Sequence, residues 1–538
     1  MITKVFIPCA GTGSRLGKKT TFLNKALVSV GLRPAISYLI DKIPESMPVV
    51  VALGYKGDTL KEFLEIAYPN RKFEFIWVTP FDGPGSGLGR STLAAEKNLQ
   101  CPFLFWTCDT LFKEPLPDLA NDENWIGCHD LPKNRDMNEF RCVATKTEAN
   151  GVQKVTGVYD KGQHQPGQQP YVGLLFIKDF KNFFTSLKEG GQDAIDQGEA
   201  YGVAKMIEKG DVFYKKEMQS WYDTGALVGL KEANEIFLSE EPAVILEKQN
   251  EAIWFLKDMV IKFSDDPTFI QKRVERAKIL KDFIPSLISS TKHLYAYRKV
   301  QGDVLSRNPS AAEFENLLKW LKSFWTEFSL PDSQKAEFTQ ACDNFYRTKT
   351  LQRVQKFHQL YPSFPYEAKI NGRLIPSTEK LLASVPWDLL AQGLPVRNHG
   401  DLHFENILRV SDERKFVLLD WRQDFAGLDQ YGDIYYDLAK LNHVFIVDQQ
   451  SIEQGHYKLE ITKDSVRFEI QKIPELAACQ RKLEDFVAEE KLDQRKINLL
   501  TALIFLNSAP LHTEHYAKLI HSLGREMLFR ELGQIDAR

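Results

Sequence analysis

The sequence has no CxxC pair, no cysteine–histidine cluster at zinc spacing and no run of about eighteen apolar residues. Its cysteines number seven, an odd count that fits reduced, mostly buried thiols better than a disulfide framework. A formal net charge of −3 gives no electrostatic case for nucleic acid or an anionic membrane as the main partner. At the amino terminus no basic region precedes a long apolar segment, and Pro8 follows Val5-Phe6-Ile7 directly, so no signal peptide is expected. We find no internal repeat and no low-complexity tract. These absences point to a cytoplasmic protein with no membrane insertion and no nucleic-acid partner; homo-oligomerisation is left open.

With 538 residues the chain exceeds one ordinary core. Residues 1 to 235 alternate apolar strand-like runs (TKVFIPCA, MPVVVALG, KFEFIWVTP, CPFLFWTCD, YVGLLFIKD) with helical patterns such as DTLKEFLEIAY and GRSTLAAEKNL. That rhythm predicts an α/β fold, a doubly wound and mostly parallel sheet with ligands at the carboxyl ends of its strands. FLSEEPAV at 237–244 breaks it, so we place one domain over 1–238 and another over 243–538. The second begins as a small β-rich lobe over about 243–298, with a turn near Lys257-Asp258 and a helix over FIQKRVERAKILKDFI. It continues as a helical lobe over about 303–538, interrupted by one strand-and-loop block at 396–421.

Near the start, PCAGTGSRLG follows a strand and carries Gly11, Gly13 and Arg15, with Lys25 ten residues after Arg15. A dinucleotide fingerprint needs a third glycine where Leu16 stands. Two cations beside a glycine loop suit a triphosphate instead. Backbone amides hold the phosphates while Arg15 and Lys25 neutralise charge on a departing pyrophosphate. Asp109 ends the strand Phe103–Trp106 region, and Asp223 lies in the late stretch Trp221-Tyr222-Asp223-Thr224-Gly225. Two carboxylates converging there would hold Mg²⁺ through oxygen.

This set of motifs resembles the sugar-phosphate and phosphocholine nucleotidyltransferase family over nearly all of the first 235 residues. The resemblance implies a Mg²⁺-dependent attack of a substrate phosphate on the α-phosphate of a nucleotide, releasing pyrophosphate. By position it assigns Gly11, Gly13, Arg15 and Lys25 to the triphosphate and Asp109 and Asp223 to the metal. The loop Gly83–Gly89, with Gly85 and Gly87, falls where family members close around the base. Asn24 stands where the family usually has proline.

The second half carries His399-Gly400-Asp401-Leu402-His403-Phe404-Glu405-Asn406-Ile407-Leu408, then the strand Phe416–Leu419 ending in Asp420. Asp401 and Asn406 have the spacing of a kinase catalytic loop. Asp401 would orient an attacking hydroxyl and accept its proton, while Asn406 and Asp420 would hold Mg²⁺ on ATP. A serine-hydrolase triad is excluded, because no G-x-S-x-G accompanies the cluster. The stretch resembles the choline kinase and aminoglycoside phosphotransferase family, which implies a bilobal α+β, protein-kinase-like domain. By that resemblance Lys262, in Met259–Phe263, binds ATP, and Glu275 on the next helix pairs with it. Asp433 and Asp437 read as supports for the catalytic loop.

A small-molecule kinase makes a phosphate ester and a nucleotidyltransferase consumes one. The expectation is a bifunctional enzyme using ATP and CTP, or another nucleoside triphosphate, on a small alcohol for surface polysaccharide or lipid decoration. Choline comes first among the alcohols, with Tyr431, Tyr435, Tyr436 and Phe445 as candidate rings for a cation. A sugar 1-kinase fused to a sugar nucleotidyltransferase is the alternative. A binding or regulatory protein on inactive enzyme folds is the rival from another class.

Overall fold

The computed structural model describes residues 3–118, 123–132, 135–237, 249–410, 415–448, 452 and 454–533. Apart from Phe237, the expected domain boundary at 237–244 lies outside the described residues. The chain divides into two compact units, Met1–Ile270 with Ile288–Lys299, and Gln271–Leu287 with Val300–Arg538.

In the first unit, Lys4–Pro8 (β1), Val49–Leu53 (β2), Phe73–Trp77 (β3) and Phe103–Trp106 (β4) run parallel in the order β3-β2-β1-β4. Strands buried on both faces read as continuous apolar runs, and these do. Val5 and Ile7 enter one core while Phe6 enters the other; Leu104 and Trp106 alternate with Phe103 and Phe105 in the same way. Helix Gly57–Ala67 (α1) covers one face with Leu60, Phe63 and Leu64.

The sheet continues through Asn124–Cys128 (β5), Cys142–Thr147 (β6), Gln153–Tyr159 (β7), Gln169–Ile177 (β8) and Phe213–Glu217 (β9). The order of its nine strands is β3-β2-β1-β4-β8-β5-β9-β7-β6. Of these added strands only β9 pairs parallel, with β5; β8 is antiparallel to both β4 and β5. The expectation of a mostly parallel sheet therefore holds for β1–β4 and is corrected to a mixed sheet beyond them. The link between β6 and β7 is too short for a crossover and forces a hairpin.

Four further strands, Glu251–Phe255 (β10), Met259–Ser264 (β11), Leu287–Ser290 (β12) and Leu294–Arg298 (β13), form a sheet of order β10-β11-β13-β12. Its Trp254, Ile261, Phe263 and Leu294 join the core that contains Val5 and Leu104. Trp254 meets Phe63 edge-on at 5.3 Å and donates from Nε1 to Ser29 Oγ at 3.0 Å. Helix Pro267–Leu280 (α2) contains the division between the units. The segment expected as a small lobe is thus shared between both units.

The second unit is mostly helical: Ala311–Phe324 (α3), Asp332–Asp343 (α4), Lys349–Leu360 (α5), Ile434–Ile446 (α6), Pro474–Glu489 (α7), Gln494–Ser508 (α8) and Glu514–Gly533 (α9). A π-helical segment, Asn344–Thr348, joins α4 to α5. Helix α8 packs on α6 and α9 and buries ten of its residues, Lys496 among them. The strands Ile407–Val410 (β14) and Lys415–Leu418 (β15) form a hairpin in the block at 396–421, where the sequence showed only the second strand. A second hairpin, Tyr457–Ile461 with Ser465–Ile470, was not expected from the sequence. Most of its residues stay at least partly exposed, so its apolar period is weak. Among the described residues no helix is long and apolar enough to cross a membrane.

Candidate functional site

The chain leaves β1 for β2 and β3 on one side, then returns to β4 on the other. Such a reversal opens a crevice at the carboxyl ends of the two central strands. Cys9–Gly13 leaves β1 there, and Thr107-Cys108-Asp109 leaves β4. No described heavy atom lies within 4 Å of where a Cβ on Gly11 would stand, which leaves its backbone open to approach. Gly13 caps the short helix Ser14–Thr20 with φ +67°. Lys25 Nζ lies 3.0 Å from Asp109 Oδ2. Burial opposes both charges, but each outweighs it for the other: the Lys25 pKa is raised, and Asp109, with Arg15 also nearby, is held below the usual carboxylate range.

Asp223 reaches the same crevice through a two-residue bridge, in which Tyr222–Asp223 pairs antiparallel with Thr110–Leu111. Thr224 N donates to Asp109 O at 2.8 Å and fixes the register. Gly225 shows how tightly the parts meet. A Cβ there would stand 2.6 Å from Asp109 Oδ2, 2.9 Å from Arg15 Nη2 and 3.0 Å from Asp223 Oδ1. Arg15, Asp109 and Asp223 therefore converge on one point, and Lys25 joins through Asp109. Two carboxylates fit Mg²⁺, a hard cation that takes few protein oxygens and keeps phosphate and water for the rest. Asp109 and Asp223 are placed so that they could hold such an ion, which would neutralise charge on the phosphates of a bound nucleotide.

One residue here escaped the sequence reading, and another was noted there only as a departure from proline. Arg135 Nη2 donates to Asp223 Oδ2 at 2.9 Å, and its guanidinium lies over Phe140 at 4.8 Å. It sits in the polar stretch 129–139, which gave no signal. Asn24 occupies the place where proline was expected, and its amide donates to Cys9 O at 2.8 Å and Tyr55 O at 2.7 Å. Its carbonyl accepts from Ala26 N at 2.9 Å, so one buried side chain ties the ends of β1 and β2 to the turn bearing Lys25. Within the 83–89 loop, Gly87 and Gly89 have a packing role, while no described atom comes within 4 Å of where a Cβ on Gly83 would stand. A Cβ on Gly87 would lie 2.4 Å from Ile195 O, and the Gly85 carbonyl accepts from Arg90 Nε at 3.2 Å.

No family model matches the chain. Among curated proteins it is 23% identical over 239 residues to the bifunctional protein GlmU of Methanococcus vannielii, covering 43% of this chain and 54% of that one. To the bifunctional protein GlmU of Methanococcus maripaludis it is 26% identical over 240 residues, covering 44% and 54%. The amino-terminal half resembles nucleotidyltransferases. The chain spans about half the length of the curated relatives it matches. Among solved structures, UDP-glucose pyrophosphorylase complexed with UDP-glucose aligns with 44% of this chain and 98% of its own, at 17% identity and a TM-score of 0.38. The CTP:phosphocholine cytidylyltransferase of Streptococcus pneumoniae aligns with 44% and 99%, at 17% identity and a TM-score of 0.36.

The second unit builds its cluster on α6. Both oxygens of Asp437 accept from the loop backbone, His399 N and Gly400 N each at 2.8 Å, and Oδ2 also accepts from Trp325 Nε1 at 3.1 Å. Asp433 accepts from Leu394 N at 3.0 Å and from the Tyr346 hydroxyl at 2.7 Å. His399 is fully buried and held neutral by burial, with its pKa pushed down to about 3. Its Nε2 donates to Leu419 O at 2.8 Å and its Nδ1 accepts from Asp401 N at 3.2 Å, which fixes the tautomer.

Asp401 stands at the turn so formed, with Oδ1 2.9 Å from Lys440 Nζ and Oδ2 3.7 Å from His403 Nε2. Burial opposes its charge, yet Lys440 and His403 hold it well below the usual carboxylate range. Asn406 Nδ2 donates to Asp401 O at 2.9 Å, and Leu419 N donates to Asn406 O at 2.7 Å, so the loop and the end of β15 are joined. Asp420 has φ +52° and lies 3.0 Å from Arg273 Nη1. The carboxamide oxygen of Asn406 and the Asp420 carboxylate are a fitting donor pair for Mg²⁺.

Lys262 lies on β11 in the first unit, paired in register with Ile253 and Tyr295. Glu275, on the part of α2 in the second unit, accepts from Gln271 Nε2 at 2.9 Å. Arg273 and Arg276 flank Glu275 with the spacing of a solvated helix face. They are instead buried, with Arg276 Nη2 donating to Asn398 O and Oδ1 at 2.6 Å each. The candidate rings are also committed: Tyr431 packs on Phe328 and Phe338, Phe445 on Phe314 and Phe404, Tyr436 on Phe345 and Tyr435 beneath Lys496.

Proposed function

We propose that the chain performs two consecutive transfers. The second unit moves the γ-phosphate of ATP to the hydroxyl of a small alcohol. The first unit then couples that phosphate ester to a nucleoside triphosphate and releases pyrophosphate. The observation that carries the reading is the convergence of Arg15, Asp109 and Asp223 beside Gly225, at the carboxyl ends of β1 and β4. Cations and carboxylates held around one crevice can neutralise a triphosphate and stabilise its leaving group. In the second unit, Asp401 stays ionised and is anchored by Lys440 and the loop around His399. So weak a base is suited to orienting a hydroxyl and taking its proton late, as phosphoryl transfer requires.

CTP is the first nucleotide to supply, because both motif sets resemble those of phosphocholine activation. The commitment of the four candidate rings to packing favours an acceptor recognised by polar groups, such as a sugar, over a caged quaternary ammonium. The test uses the full chain with ATP, CTP or UTP, and a panel of alcohols and sugars, following ADP and pyrophosphate separately. Asp401→Ala should abolish ADP formation yet leave pyrophosphate release when the phosphate ester is supplied. Asp223→Ala should do the reverse. If both activities survive both substitutions, the reading is wrong.

A further inference from the structure

The helix α5 begins with Lys349 and carries Arg353 one turn later, while Arg422 lies two residues beyond Asp420. Lys349 Nζ is 4.2 Å from the centroid of the Phe345 ring, and Arg422 Cζ is 5.4 Å from the same centroid. Phe345 belongs to the π-helical segment before α5, a distortion common at functional sites. It is braced by Phe425, stacked at 4.5 Å, and by the edge of Tyr436 at 4.7 Å. Tyr436 lies one turn before Lys440 on α6, and Lys440 holds Asp401. The aliphatic stem of Arg422 crosses Gly400, with its Cβ 2.8 Å and Cδ 3.3 Å from where a Cβ on that glycine would stand. Gly400 has φ +82°, so glycine serves both the turn and the passage of the arginine.

Three elements thus bring Lys440, Lys349 and Arg422 to the surroundings of one carboxylate, with Arg353 beside Arg422. Lys440 takes Asp401; among the described residues Lys349, Arg353 and Arg422 form no ion pair. Burial, then the charges of Arg422, Arg353 and Lys440, push the Lys349 pKa down to about 7 against the pull of Asp401. Arg353 is depressed in the same way, by burial and Arg422. A solvated charged face would carry mixed signs along one exposed helix. Same-sign groups gathered from separate elements and partly desolvated repel one another until an anion joins them.

We propose that the acceptor of the second unit carries an oxyanion group, a carboxylate or phosphate, near the hydroxyl that is phosphorylated, and that Lys349, Arg353 and Arg422 bind it. The proposal rests on the kinase reading of Asp401. Guanidinium groups suit such an anion through paired hydrogen bonds, with the lysine as a point charge. A quaternary ammonium would meet three unpaired cations and be repelled. The other source of the same chemistry is the γ-phosphate of ATP.

The full chain is given ATP with glycerol, choline, D-glycerate or sn-glycerol 3-phosphate at equal concentrations, and ADP is followed. Turnover of at least one anionic acceptor is expected with kcat/KM about 10-fold or more above glycerol and choline. Arg422→Gln and Lys349→Gln should each raise the KM for that acceptor about 10-fold or more and leave the KM for ATP within about twofold. Better use of choline or glycerol overturns the proposal. A rise in the KM for ATP alone also overturns it, by assigning the cations to the nucleotide. Should no acceptor yield ADP, the kinase reading fails by itself, and acylation of Lys349 at neutral pH decides the anion site. Several-fold protection of unsubstituted protein by D-glycerate or inorganic phosphate, lost in Arg422→Gln, upholds it; no protection by either refutes it.

Discussion

Replacing Asn24 tests how the glycine loop is tied to the lysine that faces Asp109. Asn24 is fully buried, and its φ of −64° and ψ of 144° are values that proline also adopts. Asn24→Pro therefore keeps the backbone path but deletes all three side-chain hydrogen bonds, to Cys9 O, Tyr55 O and Ala26 N. At about 1 kcal/mol net each, their loss comes to about 3 kcal/mol. Cys9 and Ala26 are also fully buried, so their orphaned groups raise the figure towards about 5 kcal/mol. Proline returns about 0.4–1 kcal/mol by stiffening the unfolded chain, which makes Asn24→Ala the harsher change. Two compact units make one global unfolding energy ill-defined, so the measurement should be local. Hydrogen exchange in peptides spanning the ends of β1 and β2 should quicken about 100-fold in Asn24→Ala, the equivalent of about 3 kcal/mol. Pyrophosphate release should fall by about 10- to 100-fold as Lys25 loses its register with Asp109. Exchange and turnover both within twofold of the unsubstituted protein would refute the argument.

Gly225→Ala places a Cβ within 3.0 Å of Asp109, Arg15 and Asp223, so pyrophosphate release should fall about 100-fold while ADP formation is unchanged; a loss under threefold would show that the cluster yields easily. Trp254→Ala removes a fully buried ring packed on Phe63, and should destabilise the first unit by about 3–5 kcal/mol, seen as faster exchange across α1. Exchange there unchanged would separate the small sheet from that core. Asp437 is fully buried, and burial raises its pKa to about 6 from 3.8 against the hydrogen bonds of His399 and Gly400. A carboxyl raised on folding contributes stability that is fully present below its unfolded pKa and lost as pH rises through its folded value. The stability difference between the unsubstituted protein and Asp437→Asn should therefore shrink by about 2 kcal/mol between pH 4 and 7, measured by denaturation of the second unit; a difference that grows over that window would contradict the assignment.

The parts legible in the sequence are those whose signal is local. Val5-Phe6-Ile7 and Phe103–Trp106 are apolar without interruption because both sheet faces are covered, and their ends mark the crevice before any pairing is known. The glycine loop, Asp109 and Asp223 could be chosen by residue type and order. Their meeting could not, because it depends on a two-residue bridge between Thr110–Leu111 and Tyr222–Asp223, too short to show a strand period. Asn24 illustrates the opposite case. As a departure from proline it looked like a small defect, yet the structure gives it the same φ and three bonds that proline lacks.

Charge was the least legible property, for a physical reason. Arg273 and Arg276 flank Glu275 as a solvated helix face would, but whether a cation is solvated depends on what another element sets against it. Asp420 and Asn398, more than a hundred residues away in sequence, make the difference there. Lys349 and Arg353 pose the same ambiguity: their spacing on α5 suits an exposed helix, and no window of sequence shows that Arg422 and Lys440 arrive beside them. The sign and balance of the charged groups around Asp401 therefore bear more on the proposed acceptor than do the aromatic residues near the motif. Those rings are accounted for by packing, whereas three cations that form no ion pair among the described residues are not.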